Sequence, residues 1–337
     1  MKTLRLLTLT FVLAGLLLAP GSEVEAERAG TYRYVIPGDS LTSTSCTRQD
    51  PCDLNYAVYM ANPGDIIIVH SGTYKSTDMS IDLVFIDKSL TLLGSCTFDA
   101  STSHECHPDL RNSILDAENT KRVIRLEGVS GDEQVHLEGF TIRNGYGVGM
   151  LPCYAGFNGC GAGIHASNLK NLTLKNNTLI GNLAGNTSGA GGGLFAYDID
   201  YLIVDNNDLT FNQASKTGLS AGGGAFVAES GGPNAVFFSN NLIVGNESNT
   251  DNALGSAGGG ILVTGSNNAQ ILNNRFEYQN IIQNNADLNG SALYLYEITG
   301  FSIEENTLTG NYGSSSISIR YGSNGQISQN KWWKNEN

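Results

Sequence analysis

The chain has 337 residues, only 15% of them charged, with 19 basic against 32 acidic side chains and a net charge of −13. That balance excludes a nucleic-acid partner, because a phosphate backbone demands clustered Lys and Arg. It also disfavours a polyanionic glycan, which long-range repulsion would hold off.

Residues 1–26 read as a secretory signal: Lys2 and Arg5 open it, Leu6 to Ala19 form an apolar core, and Val24-Glu25-Ala26 offers a small-residue cleavage site. Its removal takes away equal numbers of acidic and basic residues, so the mature charge is unchanged. No later stretch approaches the roughly 18 apolar residues of a membrane span. The mature part, residues 27–337, is expected to be one domain that works outside the cytoplasm, secreted or at the cell surface.

The six cysteines fall in close pairs: Cys46 with Cys52, Cys96 with Cys106, and Cys153 with Cys160. In an exported chain such pairs read as three loop-stapling disulfides. A metal cluster is the rival reading, but no pair has CxxC spacing.

From residue 163 onward the chain repeats itself. The segments NNTLIGN (176–182), NNDLTFN (206–212), NNLIVGN (240–246), ENTLTGN (305–311) and QNKWWKN (329–335) each place one Asn five residues before another. A further copy, NNRFEYQN (273–280), fits with one inserted residue. Upstream of each lies an alternating run, beginning with GIHAS (163–167) and GLFAY (193–197), and period-two alternation means half-buried strands. Aligned, the units give aliphatic columns: Ile164, Leu194, Ala225, Ile261, Leu293 and Ile317 in one, and Leu174, Val204, Phe238, Ile271, Ile303 and Ile327 in another. Stacked coils would join these columns into a core that no single repeat can bury alone. The leading Asn column falls between inward columns, where an unsatisfied amide costs about 1–3 kcal/mol. At about 4.8 Å between strands, each amide can instead donate to the next coil and accept from the previous one. The AGGG runs read as positive-φ turns into the next strand; as phosphate loops they lack the Lys-Ser/Thr ending.

These features resemble the right-handed parallel β-helix proteins of the pectate-lyase-like superfamily, especially secreted and surface members from bacteria. The resemblance is carried by ANPGDIIIVHSGTY (61–74), SLTLLGSC (89–96), SILDAEN (113–119), LEGFTIRNG (137–145) and the AGGG repeats. It implies an all-β solenoid, and a capping helix that Asp53 to Ala61 fits, with Leu54, Ala57, Val58 and Ala61 on one face. It does not imply an activity, because this scaffold carries lyases, hydrolases and adhesins alike.

The residues that enzymes of this fold use are not recognisable here. The outward positions of the first strand run His165, Phe195, Phe226, Leu262, Tyr294, Ser318, and no adjacent Asp pair with a Gly-His-Gly turn occurs. His165 and Arg125 fall on neighbouring coils, with Asp116 and Glu118 ahead of them, but such a density of charge suits an ordinary solvated face. Two further features lack a structural requirement. Phe195, Tyr197, Phe226, Tyr294 and Tyr296 are expected to face outward as an aromatic platform for sugar rings, unless the Gly-rich loops fold over them. Asp198, Glu229 and Glu297 form an acidic column at its edge, able to accept sugar hydroxyls. Calcium is the other ligand for stacked carboxylates, but Gly265 interrupts the column, so no metal or cofactor is expected. The expectation is a binding or surface protein directed at a polysaccharide or cell-envelope glycan. A polysaccharide lyase or hydrolase is the alternative. A structural piece of a larger surface protein is a third reading, because the chain stops directly after a repeat.

Overall fold

The computed structural model describes residues 30–335 apart from 39–42, 76–79, 100, 102, 148–152, 154–155, 232–235, 250–255, 283–289 and 314. The expected signal segment, residues 1–26, lies outside the described residues.

The chain winds as a parallel β-helix. A nine-stranded sheet receives one short strand from each of nine successive turns among the described residues. The expected helix spans Leu54–Met60. Asp53 caps it, its carboxylate accepting from the backbone N–H of Asn55 (2.8 Å) and Tyr56 (3.1 Å). Leu54, Ala57 and Val58 are buried and join the core of the first coils.

Each later coil begins with an extended run that bends in the middle. It is continuous in Ile164–Lys175 and Leu194–Asp205 and divided in coils such as Ala225–Ala228 with Val236–Ser239. The bend is made by one residue of left-handed backbone at the same place in each coil: Asn168, Asp198, Glu229, Gly265, Glu297 and Tyr321, with φ between 49° and 57°. A three-residue strand follows the leading Asn, as in Thr178–Ile180, Asp208–Thr210 and Leu242–Val244, and builds the nine-stranded sheet. A third face is formed by Leu183–Gly185, Gln213–Ser215, Glu247–Asn249 and Asn280–Ile282.

The register is the one the aligned repeats require. Ile164 pairs with Leu194, then come Ala225, Ile261, Leu293 and Ile317, and Leu174 leads through Val204, Phe238, Ile271 and Ile303 to Ile327. These side chains are sealed from solvent through Leu293 and Ile303, at 1% exposure or less. In the last coil Ile327 and Trp332 are half exposed, because no described coil lies on them.

The leading Asn side chains hydrogen-bond from coil to coil. Asn207 Nδ2 donates to Asn241 Oδ1 (3.3 Å), Asn241 to Asn274 (2.9 Å), Asn274 to Asn306 (3.1 Å) and Asn306 to Asn330 (2.9 Å). Each Oδ1 also takes the backbone N–H of the Asn before it, so a buried main-chain turn is satisfied by side chains. The second Asn of each motif forms a parallel column. Here the structure corrects the alignment of NNRFEYQN: no residue is inserted. Gln279 stands five residues after Asn274, and its longer amide fills the slot, taking Asn246 N–H at 3.0 Å.

The glycine runs also need a different reason from the expected one. Only the first of each triplet, Gly191, Gly222 and Gly258, has a positive φ. The third is required by close approach, since a Cβ on Gly193 would sit 2.6 Å from the Gly224 carbonyl oxygen, and one on Gly224 as near to Gly260.

Candidate functional site

The structure divides the aromatic stripe in two. Phe195, Phe226 and Tyr294 do occupy the outward column of the first strand, in register with His165 and Leu262. They are nevertheless only 2–3% exposed, so of the two expected arrangements it is burial under the Gly-rich loops that holds for them, and the open platform does not. The glycine-rich turns fold back over the column, and Phe157, Cys160, Ala190, Ala221 and Ala257 close a second apolar core outside the sheet. Within it the rings stack along the solenoid, His165 on Phe195 at 5.1 Å and Phe195 on Phe226 at 5.4 Å. Tyr197 and Tyr296, two positions further on, remain half-buried at the margin.

The acidic column lies on the bend. Asp198, Glu229 and Glu297 are exposed, and each adopts the left-handed backbone of that turn. Gly265 and Asn168 are therefore equivalents by conformation, and the column follows the ridge of the solenoid. Tyr197 donates to Glu229 Oε2 at 3.1 Å, a bond that raises the phenol above its ordinary range; a bond to Glu297 does the same for Tyr296. Among the described residues no three His, Cys, Asp or Glu lie close enough to hold one metal ion.

The early charged residues regroup. Arg125 and His165 are neighbours across two coils, but Asp116 and Glu118 belong to another face, where Asp116 binds Arg143 and Asn144 and Glu118 binds Lys75. In their place stands Asp82, whose carboxylate meets Arg122 at 3.0 Å and Arg125 at 3.7 Å, while Glu127 takes the other side of Arg125. Arg122 also donates to the carbonyls of Gly161 (3.0 Å) and Cys160 (3.2 Å), tying the disulfide loop to the coil. Burial pushes the Asp82 carboxyl up against the pull of both guanidinium groups. Burial, reinforced by Arg122 and Arg125, drives His165 down to about 3. A neutral, buried imidazole and a carboxylate tied to two arginines make a structural knot rather than an open acid-base pair.

A further surface was not picked out by the repeats. On the second half of the run, in the last coils, a groove of about 510 Å³ is lined by Asn268, Gln270, Ser302, Asn324 and Gln326, with Tyr201 at one side. Gln270, Ser302 and Gln326 are successive members of one outward column, and Phe237 precedes them. Tyr201 stands edge-on to Phe237, with ring centres 5.5 Å apart. Glu304, partly exposed and two residues along the same strand, accepts hydrogen bonds from Ser302 and Gln326 at the edge of the groove. Tyr201 is the one ionisable residue in the lining. The outward column that the sequence alignment brings forward, Lys175, Asp205, Ser239, Leu272, Glu304, Ser328, lies two residues further along. Reading the preceding outward position of the same alternation would have found Gln270, Ser302 and Gln326.

Comparison with known families matches residues 94–276 to the right-handed β-helix region, more than half of the chain. The chain belongs to that family, and the winding described above is therefore right-handed. No curated protein and no solved structure gives a significant match. The three disulfides, Cys46–Cys52, Cys96–Cys106 and Cys153–Cys160, are formed as paired by proximity. No helix among the described residues is long and apolar enough to cross a membrane.

Proposed function

We propose that this right-handed β-helix is an extracytoplasmic binding protein that takes an uncharged stretch of polysaccharide in the groove beside Tyr201. One observation carries the reading: a groove whose polar lining is amide and hydroxyl, with aromatic rings at its side and no carboxylate, Lys or Arg. Amides donate and accept at once, as sugar hydroxyls do, and the flank of an aromatic ring suits the apolar face of a pyranose. The net charge of −13 agrees with a neutral ligand better than with an acidic one. Three disulfides fit an oxidising compartment.

The buried members of the aromatic stripe are not part of this surface, and Tyr197 and Tyr296 with their carboxylates lie across the ridge from it. A lyase or hydrolase would need paired carboxylates facing the bound chain, whereas the lining holds none and the adjacent Glu304 has its Oε1 taken by Ser302 and Gln326. The test is a glycan array on the whole protein, followed by calorimetry with the best neutral oligosaccharide and an assay for new reducing ends or unsaturated products. Tyr201→Ala and Gln270→Ala are each expected to weaken binding about tenfold, equivalent to about 1.4 kcal/mol, with an unchanged melting temperature. Absence of glycan binding, or full binding by both variants, overturns the proposal; product formation replaces it with the enzyme.

A further inference from the structure

The first coils carry an excursion that a coil does not need. The chain leaves the strand Leu90–Thr97, turns back and pairs Cys96 with Cys106 in antiparallel register, and the disulfide staples the hairpin shut. Beside it opens a cavity of about 460 Å³, lined by His70, Phe98, Asp99, His104 and Glu105 together with two hydroxyl residues.

Its aromatic walls brace one another at steep angles. Phe98 stands at 88° to His70 with centres 5.3 Å apart, and at 74° to Tyr34 at 5.1 Å. Tyr34 meets His104 at 62° and its hydroxyl lies 3.2 Å from His104 Nδ1. Asp99 is held by Ser101, whose N–H and hydroxyl both approach its Oδ1 at 2.7 Å. Glu105 lies 3.3 Å from His107 Nε2.

The lining combines two carboxylates with aromatic rings and contains no Lys or Arg. A metal ion is the first ligand such side chains suggest, but among the described residues no three of them come close enough to share one. The space is that of a group of several heavy atoms. The π face of Phe98 carries negative potential, as do the Asp99 and Glu105 carboxylates, so the complementary ligand is a cation with apolar substituents.

We infer that this hairpin pocket is a second binding site, specific for a quaternary ammonium group of the choline type. Phe98 supplies the cation–π contact, and Asp99 supplies the counter-charge. The site sits on the first coils, whereas the groove of Tyr201 lies on the last, so the two are independent.

The experiment titrates the whole protein with choline chloride and, in parallel, with 3,3-dimethylbutan-1-ol, which has the same shape with carbon in place of the charged nitrogen. Choline is expected to bind at least about threefold, and up to about thirtyfold, more tightly than its neutral isostere. Phe98→Leu, which keeps apolar bulk but removes the ring, is expected to abolish that preference, and Asp99→Asn, at an exposed position, to reduce it. Tyr201→Ala should leave it untouched. Equal binding of the two compounds, no choline binding by the wild type, or full preference in both pocket variants would overturn the assignment.

Discussion

The paired asparagines allow a sharp test, because the two members of each pair do opposite jobs. Asn241 is 2% exposed; its Nδ2 donates to the Val204 carbonyl (2.8 Å) and Asn274 Oδ1 (2.9 Å), and its Oδ1 accepts from Asn207 N–H (2.9 Å). Asn241→Ala removes these three bonds at once, together with the one that Asn207 Nδ2 donates to Asn241 Oδ1 (3.3 Å). Asn274 Oδ1 still receives the backbone N–H of residue 241 (3.0 Å), and Asn207 Nδ2 keeps the Leu174 carbonyl (2.8 Å). What is stranded is the buried N–H of Asn207, worth about 1–3 kcal/mol, with about 1 kcal/mol more for the bonds lost outright. The expected loss is therefore about 2–4 kcal/mol. Its neighbour Asn240 has φ 56°, is exposed, and donates to Asp205 Oδ1 at 2.8 Å. Asn240→Gly gives up that surface bond and the one its Oδ1 accepts from Asn273 Nδ2 (2.8 Å) but suits the left-handed backbone, so the change should stay within about 1 kcal/mol. Urea unfolding of both variants beside the wild type measures the difference. Equal effects, or a loss below about 0.5 kcal/mol for Asn241→Ala, would show that the inner column does not satisfy the turn as described.

Three other outcomes follow from the buried outer face and the cysteines. Phe195→Ala opens a cavity between His165 and Phe226, and should cost about 3–5 kcal/mol in denaturant unfolding, where an exposed platform residue would cost almost nothing. His165 is held neutral by burial down to about 3, whereas in the unfolded chain it takes a proton near 6.5. The unfolded state thus binds more protons below that pH, and stability falls by up to about 1.4 kcal/mol per unit between pH 6.5 and 3. His165→Phe, which continues the ring stack, should lessen that decline; parallel melting curves from pH 7.5 to 4 with identical slopes for variant and wild type would contradict it. Under denaturing conditions without reductant a thiol reagent should label no cysteine of the mature protein, and after reduction it should label all six; any label before reduction would mean that a pair is not closed.

Much of this molecule can be read before it folds, because a solenoid turns a sequence repeat directly into a spatial neighbour. Once Ile164, Leu194, Ala225, Ile261 and Leu293 are aligned on paper, they are also aligned in the sheet, and period-two alternation decides which side chains face the core. The cysteine pairs were legible for a similar reason, since each closes a loop of a few residues. Gln279 escaped because its identity breaks the pattern while its amide preserves the chemistry. Exposure of the outer face could not be read the same way. Whether Phe195 and Tyr294 meet water depends on how the glycine-rich turns fold back across the sheet, which the strand alternation does not encode. The regrouping of Arg125 with Asp82, and the groove that unites Tyr201 with Gln270 and Gln326, likewise arise from packing between elements far apart in the chain. Local periodicity specifies which residues share a column, and the tertiary fold alone decides which columns are covered and which remain open to a ligand.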